Sequence, residues 1–171
     1  MTIALKIDGR LLDQVRQDLR RPHPFAYERV GFLTAGASAS GRDLTLAVRG
    51  YMPVEDGDYE RDPHVGAKIG SGAMRKAVQA AYRPAATLLH IHTHGGHGRP
   101  GFSGVDLDSA DTFVPGFFET TPRMPHGLIV LSDNSARGLL WLDGARRPHD
   151  IDTFIRIDAP MQRDWGTHEL A

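Results

Sequence analysis

The sequence predicts an α/β protein of the α+β kind, in which helices flank a mixed β-sheet. Three observations support this class. Short stretches that alternate apolar and polar residues, as half-buried strands do, recur along the chain. Between them lie stretches whose apolar residues recur every three or four positions, as in amphipathic helices. Prolines and small polar residues separate the two kinds of stretch, as expected of turns and loops.

Length and composition limit the possible functions. The 171 residues suffice for one domain with a substantial core. We expect that domain over residues 1–147 and a C-terminal extension over residues 148–171 that packs on it or trails from it. The formal net charge is −1 and no basic run is present, so a nucleic-acid partner is not expected. The absence of cysteine excludes disulfides and thiolate metal ligands.

The N-terminus gives no sign of a targeting segment. It lacks the basic start and long apolar core of a signal peptide. No apolar stretch reaches the ~18 residues that a membrane span needs. We therefore expect a cytoplasmic protein without a membrane partner.

The first elements are a strand and a helix. Residues 3–7 alternate apolar and polar side chains, which predicts a short strand. Asp8 is a candidate N-cap for a helix that runs to about Arg21, with leucine and valine at helical spacing. The Arg-Pro-His-Pro sequence at 21–24 ends this helix, because proline lacks the backbone donor and restricts the residue before it.

A hairpin follows, and it carries a conspicuous carboxylate. Segment 25–35 is apolar and β-prone except for Glu28 and Arg29. The small, polar residues 36–43 predict the hairpin loop, and residues 44–48 alternate as the returning strand. Glu28 therefore lies at the start of a central hairpin.

The middle of the chain predicts a loop, a helix and a buried strand. Residues 53–64 have no clear period and predict the loop; their acidic stretch 55–62 suits either a basic partner surface or a solvated loop, and the solvated loop is the simpler interpretation. Ser71 is the candidate N-cap of the helix, which Pro84 ends. An apolar run from about Ala85 predicts the strand.

The last predicted elements are a helix and a second hairpin. Ser103 and Asp106 open the helix, and we do not expect it to pass Pro115. Residues 126–132 and 137–142 are both apolar and β-prone. The polar residues between them predict the turn of the hairpin.

A histidine cluster follows the buried strand. Four of the nine histidines fall within residues 90–97. Side chains two apart on a strand point to the same side, so His90, His92 and His94 would share a face. Two imidazoles and one carboxylate make a suitable zinc shell, with a further position left for water. Asp106 is the best-placed carboxylate.

Simpler explanations exist for each part of this pattern. Ser103 and Asp106 have the spacing of a capping box, in which each side chain accepts a hydrogen bond from a backbone donor. A lone histidine is usually a satisfied polar residue. The joint occurrence of the histidine cluster and Ser-x-x-Asp favours a metal site, although the spacing permits either His90 with His92 or His92 with His94 as ligands.

The polar residues resemble the JAMM motif of the JAB1/MPN/Mov34 metalloprotease family, a glutamate followed by His-x-His, a spacer and Ser-x-x-Asp. Residues 28–33, Glu-Arg-Val-Gly-Phe-Leu, are similar to the family's Glu-x-x-Gly-x-Leu. Residues 102–106, Phe-Ser-Gly-Val-Asp, resemble its Leu-Ser-Gly-Ile-Asp. The order of elements matches over about residues 3–142. The resemblance implies the MPN (JAB) fold, a central mixed and curved sheet flanked by helices, as in cytidine deaminases.

The resemblance also implies a ligand set. His92-Thr-His94 is similar to the family's His-Ser-His, so His92, His94 and Asp106 would bind one catalytic Zn²⁺ that also carries a water. His90 would then belong to the core or support a ligand through a hydrogen bond. His97 would be solvated in a flexible glycine-rich loop.

Two further residues receive catalytic roles from the resemblance. Glu28 would take a proton from the water and later pass it to the departing amine. Ser103 would donate a hydrogen bond to the oxygen that becomes negative. The chain departs from the family at Gly95, where many members have proline. Its spacer between His94 and Ser103 is also one residue longer than is familiar.

The implied activity is that of a zinc-dependent isopeptidase or peptidase, a deubiquitinase-like hydrolase that cleaves after the C-terminal tail of a ubiquitin-like protein. The compact size resembles stand-alone bacterial members, which act in deconjugation or precursor processing beside activating and conjugating enzymes. Two alternatives stay open. One is a catalytically inactive MPN-type scaffold, and the other is a zinc hydrolase of a small amide.

Overall fold

The computed structural model describes residues 1–144, 147–158 and 161–164, which form one mixed sheet with three helices. The predicted class, a mixed sheet with flanking helices, is therefore confirmed. The helices are α1 (Gly9–Leu19), α2 (Ser71–Tyr82) and α3 (Gly104–Thr120). The strands are β1 (Thr2–Asp8), β2 (Val30–Ser40), β3 (Asp43–Pro53), β4 (Thr87–Thr93), β5 (His126–Leu131), β6 (Ala136–Trp141), β7 (His149–Asp150), β8 (Thr153–Asp158) and β9 (Met161–Asp164).

The strand order in the sheet is β7-β6-β5-β4-β2-β3-β1-β8-β9. Pairs β1–β3, β1–β8 and β4–β5 are parallel, and the other neighbours are antiparallel. Strands β4 and β2 lie next to each other within the sheet, with β5 and β3 outside them. Within the described ranges, no helix is long and apolar enough to cross a bilayer.

The first strand and helix form as predicted. The burial of β1 alternates along the strand, with Ile3, Leu5 and Ile7 in the core. The Asp8 carboxylate caps α1 by accepting hydrogen bonds from two backbone donors of its first turn. The apolar face of α1 then packs against the sheet in the same core cluster.

The first hairpin is tighter than predicted. β2 and β3 are joined by the two-residue turn Gly41-Arg42, so the predicted loop over residues 36–43 is wrong. Gly41 has a φ of 59°, which glycine adopts without steric cost. The small residues before the turn belong to the strand. A side chain at Gly36 would collide with the Arg49 guanidinium on the neighbouring strand. The small residue at this position is therefore explained by packing within the sheet and does not indicate a loop.

Two predictions about helices are also wrong. Gly70, not Ser71, is the N-cap of α2, and it makes no side-chain cap because glycine has none. Helix α3 passes through Pro115. Proline in a helix interior costs about 3 kcal/mol. Val114 and Phe117 are buried on either side of it, and such tertiary packing outweighs the local preference.

The segment after Pro148 takes part in the sheet. β8 pairs in parallel with β1, and Ile151 and Phe154 lie in the same core cluster as β1. The described part of the predicted extension over residues 148–171 therefore packs on the domain. Residues 145–146, 159–160 and 165–171 lie outside the described residues.

Candidate metal centre

The pairing of β2 with β4 brings Glu28 and the histidines together. Val30 lies opposite His92 in this antiparallel pair. Residues before Val30 therefore face residues after His92, which sets Glu28 beside His94. β4 ends just before His94, but the backbone N–H of His94 still donates to the Leu131 carbonyl at 3.0 Å and so continues the pairing with β5.

Helix α3 opens with the capping box that its sequence predicts. Ser103 Oγ accepts a hydrogen bond from the Asp106 backbone N–H at 3.1 Å, and Asp106 Oδ2 accepts one from the Ser103 N–H at 2.7 Å. The capping box, which was the simpler explanation of Ser-x-x-Asp, is therefore confirmed. It does not compete with a ligand role, because the capping carboxylate also faces both histidines, with Oδ1 3.2 Å from His92 Nε2 and Oδ2 3.3 Å from His94 Nε2.

Three donor atoms converge at this point. The Nε2 atoms of His92 and His94 are 3.0 Å apart, and each lies within 3.3 Å of an Asp106 oxygen. In a tetrahedral shell with metal–ligand bonds of ~2.0–2.1 Å, neighbouring donors lie about 3.3–3.4 Å apart. The observed separations approach this spacing, and the donors are two imidazoles and a carboxylate. The residues present therefore fit a metal ion bound by nitrogen and oxygen.

No family model matches this sequence, and no curated protein matches it significantly. The interpretation of the site therefore depends on the geometry and chemistry of its own residues.

Glu28 is the fourth polar group of the site. Glu28, His92 and His94 each offer a ligand atom, and these atoms lie within 4.8 Å of one another, so this group can also hold a metal ion. Among the described residues, however, Glu28 forms no ion pair or side-chain hydrogen bond, whereas Asp106 approaches both rings closely. Asp106 is therefore the carboxylate in contact with both imidazoles. Glu28 is placed as an unpaired carboxylate next to the ligands.

The environment of Asp106 favours its charged form. Partial burial raises the pKa of this carboxyl, but the hydrogen bond and charge of His92 and the two hydrogen bonds with Ser103 more than offset burial. The pKa of Asp106 therefore lies well below its usual range, and the group is an anion at neutral pH. A carboxylate must be ionised to bind a metal, so no proton has to be displaced from this one.

His90 belongs to an aromatic cluster rather than to the ligands. Its ring centroid lies 5.5 Å from that of Phe32 and 5.1 Å from that of Phe113. Burial, together with the nearby His92, lowers the pKa of His90 to about 3, so the ring is neutral. Its Nδ1 has no hydrogen-bond partner among the described residues. Of the two ligand pairs that the spacing permits, the structure thus brings His92 and His94 to Asp106.

His97 lies away from the site, in a glycine-rich loop with a defined path. Its side chain is mostly exposed, 3.7 Å from the Asp133 carboxylate. The loop is attached to the turn after β5, because Gly98 N–H donates to Asn134 Oδ1 and Ser132 Oγ donates to the Gly98 carbonyl. Positive φ angles, which favour glycine, occur at Gly95, Gly96 and Gly98.

Arg29 anchors the irregular segment that carries Glu28. Its side chain is 3% exposed and makes three hydrogen bonds of 2.7–2.9 Å. The acceptors are the carbonyls of Arg21 and Pro22 and the carboxylate of Asp56. The arginine thereby joins the chain after α1 to the chain after β3. Sequence reasoning missed this role, because nothing in the local pattern distinguishes a buried arginine from a solvated one.

A groove of about 590 Å³ opens beside Glu28 and His94. The chain after α1 forms its other wall. Its lining includes Leu19, Arg20, Pro22, His23, Tyr27 and Thr93.

Three large apolar side chains that are neighbours in sequence of Glu28 or Asp106 are exposed. Tyr27, next to Glu28, is 80% exposed. Val105 and Leu107, on either side of Asp106, are 46% and 43% exposed. These three side chains are therefore accessible to a binding partner.

Proposed function

We propose that this protein is a zinc-dependent isopeptidase or peptidase of the JAMM type with an MPN fold. It would cleave after the C-terminal tail of a ubiquitin-like protein, in deconjugation or precursor processing. The observation that carries the proposal is the convergence of His92, His94 and Asp106 beside Glu28, in residues that also have the order of the JAMM motif.

His92, His94 and Asp106 would hold the zinc ion. A zinc ion bound by these residues acts as a Lewis acid, which makes water nucleophilic near neutral pH and polarises an amide carbonyl. The protein's part is to keep two imidazoles and one ionised carboxylate aimed at a common point.

Glu28 would move the proton of the reaction. Its carboxylate is close to both histidines and pairs with none of the described residues, so it is available to accept a proton from water. As water adds to the carbonyl carbon, Glu28 takes one proton. As the carbon–nitrogen bond breaks, it gives that proton to the departing amine.

Ser103 would stabilise the oxygen that becomes negative during the reaction. Its Oγ accepts a hydrogen bond from the Asp106 N–H, which leaves the hydroxyl hydrogen free to donate. A donor fixed at a helix N-terminus beside the ligands can bind the carbonyl oxygen as it gains charge.

The surroundings favour a macromolecular substrate over a small amide. The groove beside Glu28 is lined by Leu19 at the end of α1, by the chain that follows α1 and by His94 and Gly95 after β4, which leaves room for a peptide tail. The exposed side chains of Tyr27, Val105 and Leu107 offer apolar contacts to a folded body attached to that tail. An inactive scaffold is the weaker alternative, because all five residues of the motif are present.

The test uses a panel of ubiquitin-like proteins fused at the C-terminus to a reporter. Cleavage is measured with Zn²⁺ or with chelator, for wild type, Glu28→Gln and the control Glu55→Gln, an exposed glutamate of the loop after β3. We expect zinc-dependent cleavage by wild type and by the control, and a roughly 10²–10⁴-fold lower rate for Glu28→Gln. Cleavage that survives both chelation and Glu28→Gln would refute the mechanism.

Metal analysis supplies an independent test of the ligands. Wild type and Glu28→Gln are expected to contain zinc in stoichiometric amount, whereas His92→Ala and Asp106→Ala are expected to lose it. Equal zinc in all four proteins would contradict the ligand assignment.

A further inference from the structure

The position of the Glu28 carboxylate is set by packing rather than by polar contacts. Among the described residues it has no hydrogen-bond or ion-pair partner. An unpaired carboxylate is reactive, but a flexible glutamate side chain without a partner samples several rotamers. Something else must therefore keep it beside the histidines.

Gly66, in the loop between β3 and α2, is in direct contact with this side chain. A Cβ at position 66 would lie 2.6 Å from the Glu28 carboxyl carbon and from Oε2, and 3.0 Å from Oε1. The Gly66 carbonyl also accepts hydrogen bonds from the backbone N–H groups of Tyr27 and Glu28, at 2.9 and 3.1 Å. Both the main chain and the side chain of Glu28 are thus placed against this one residue.

The backbone does not require glycine at position 66. Gly66 is not among the glycines with positive φ, so alanine can adopt its conformation. Gly57, in the same loop, has nothing within 4 Å of its own Cβ position. What distinguishes Gly66 is therefore the space above its Cα, which the Glu28 carboxylate occupies.

We propose that Gly66 is a positioning residue. Because it has no side chain, the space above its Cα can hold the Glu28 carboxylate in the position from which it transfers the proton. The inference rests on the proposed function, because the position of the carboxylate matters only if Glu28 transfers the proton. A methyl group at position 66 has to displace the carboxylate. Because the displaced atoms are the end of a flexible side chain, the fold can accommodate the change while the carboxylate moves. A shift of about 1 Å in a catalytic group can cost on the order of 10²-fold in rate.

The experiment compares Gly66→Ala with the matched variant Gly57→Ala. For Gly66→Ala we expect kcat to fall roughly 10–100-fold, with KM, zinc content and Tm close to wild type. Gly57→Ala is expected to keep the wild-type kcat. A crystal structure of Gly66→Ala should show the Glu28 carboxylate displaced and His92, His94 and Asp106 in place. An unmoved carboxylate, or a Gly66→Ala protein that fails to fold, would overturn the inference.

A double-mutant cycle shows whether Gly66 acts through Glu28. In the Glu28→Gln background, Gly66→Ala should cause little further loss, because the group that it displaces no longer transfers the proton. An equal loss in both backgrounds would assign the effect to the fold and overturn the inference. If Glu28→Gln keeps full activity, the proposed function fails. If Glu28→Gln is inactive while Gly66→Ala keeps its kcat, only the positioning role fails.

Discussion

The two halves of the candidate site are built in different ways. In the first, the ligand half, His92 lies on β4, which is paired on both sides, and His94 directly follows that strand. Asp106 lies in the capped first turn of α3, so regular structure determines where the backbone of all three residues lies. In the second, the loop half, Glu28 lies in irregular chain that the buried Arg29 anchors, and its carboxylate packs against Gly66. The difference separates two tasks. The proposed metal binding would depend on regular structure, and the proposed proton transfer would depend on the packing of two loops.

The largest effect is expected from Asp106→Asn, which changes the ligand half alone. The amide oxygen can still accept from the Ser103 N–H, so the cap survives and stability changes by less than about 1 kcal/mol. Loss of the charged ligand should weaken zinc binding by more than about 100-fold and abolish cleavage. Competition with a zinc-binding dye measures the affinity, with the exposed Asp108→Asn as control. Equal zinc affinity in Asp106→Asn and Asp108→Asn would show that Asp106 is not a zinc ligand.

Ser103→Ala should separate capping from catalysis. Loss of the cap costs about 1 kcal/mol in the free energy of unfolding. Loss of a donor to the negative oxygen costs ~10²–10³ in kcat. Urea unfolding and steady-state kinetics measure the two, and Ser103→Thr, which keeps the hydroxyl, should recover most of both. Full activity in Ser103→Ala would show that Ser103 caps the helix and takes no part in catalysis.

Arg29→Met tests the loop half. The three acceptors of the guanidinium lose a charged donor, so the free energy of unfolding should fall by about 3 kcal/mol. The turnover rate should fall as well, because Arg29 anchors the segment next to Glu28. Zinc affinity of the folded protein should stay at the wild-type value. The exposed Arg123→Met is the control, and a parallel loss of zinc affinity in Arg29→Met would contradict the separation of the two halves.

The smallest effect concerns His126, which links the two elements of the ligand half. Its Nδ1 accepts from the Leu88 N–H at the start of β4, and its Nε2 contacts Thr121 at the end of α3. Burial lowers the pKa of His126 below the usual 6.5, so the unfolded chain takes up a proton first as the pH falls. Stability is therefore lost below about pH 6.5, by at most about 1.4 kcal/mol per pH unit.

Urea unfolding between pH 7 and pH 5 measures this contribution. His126→Gln should flatten the pH dependence relative to wild type, although it lowers stability at neutral pH. The exposed His149→Gln should keep the wild-type slope. The same slope in all three proteins would show that His126 does not contribute.

Local chemistry explains what the sequence could predict. The alternation of β1, the Asp8 cap and the Ser103–Asp106 capping box are interactions between residues a few positions apart, so they are visible in the pattern. The proposed metal site was also visible in the sequence, because the histidines and Ser-x-x-Asp have unusual types and spacing. The structure brings Glu28, His92 and His94 into a group that could hold a metal ion. The proposed role of Glu28 depends on the long-range pairing of two strands, which no local pattern shows, and it came only from the resemblance to the JAMM motif.

Features that depend on distant partners could not be predicted. Helix α3 continues past Pro115 because the sheet buries its next turn. β8 pairs with β1 although the two lie at opposite ends of the chain. Gly66 is one of 19 glycines, and only the approach of Glu28 distinguishes it from Gly57. In each case the decisive neighbour is remote in sequence.

The capping box of α3 has a thermodynamic consequence for metal loading. Because the Ser103 N–H already orients the Asp106 carboxylate, the entropy of ordering this ligand is lost during folding and not during binding. Small zinc domains behave differently, since the metal itself drives their folding. Here the apoprotein should keep its fold, so that zinc can leave and return at constant structure. Activity would then follow the free zinc concentration reversibly, without a refolding step.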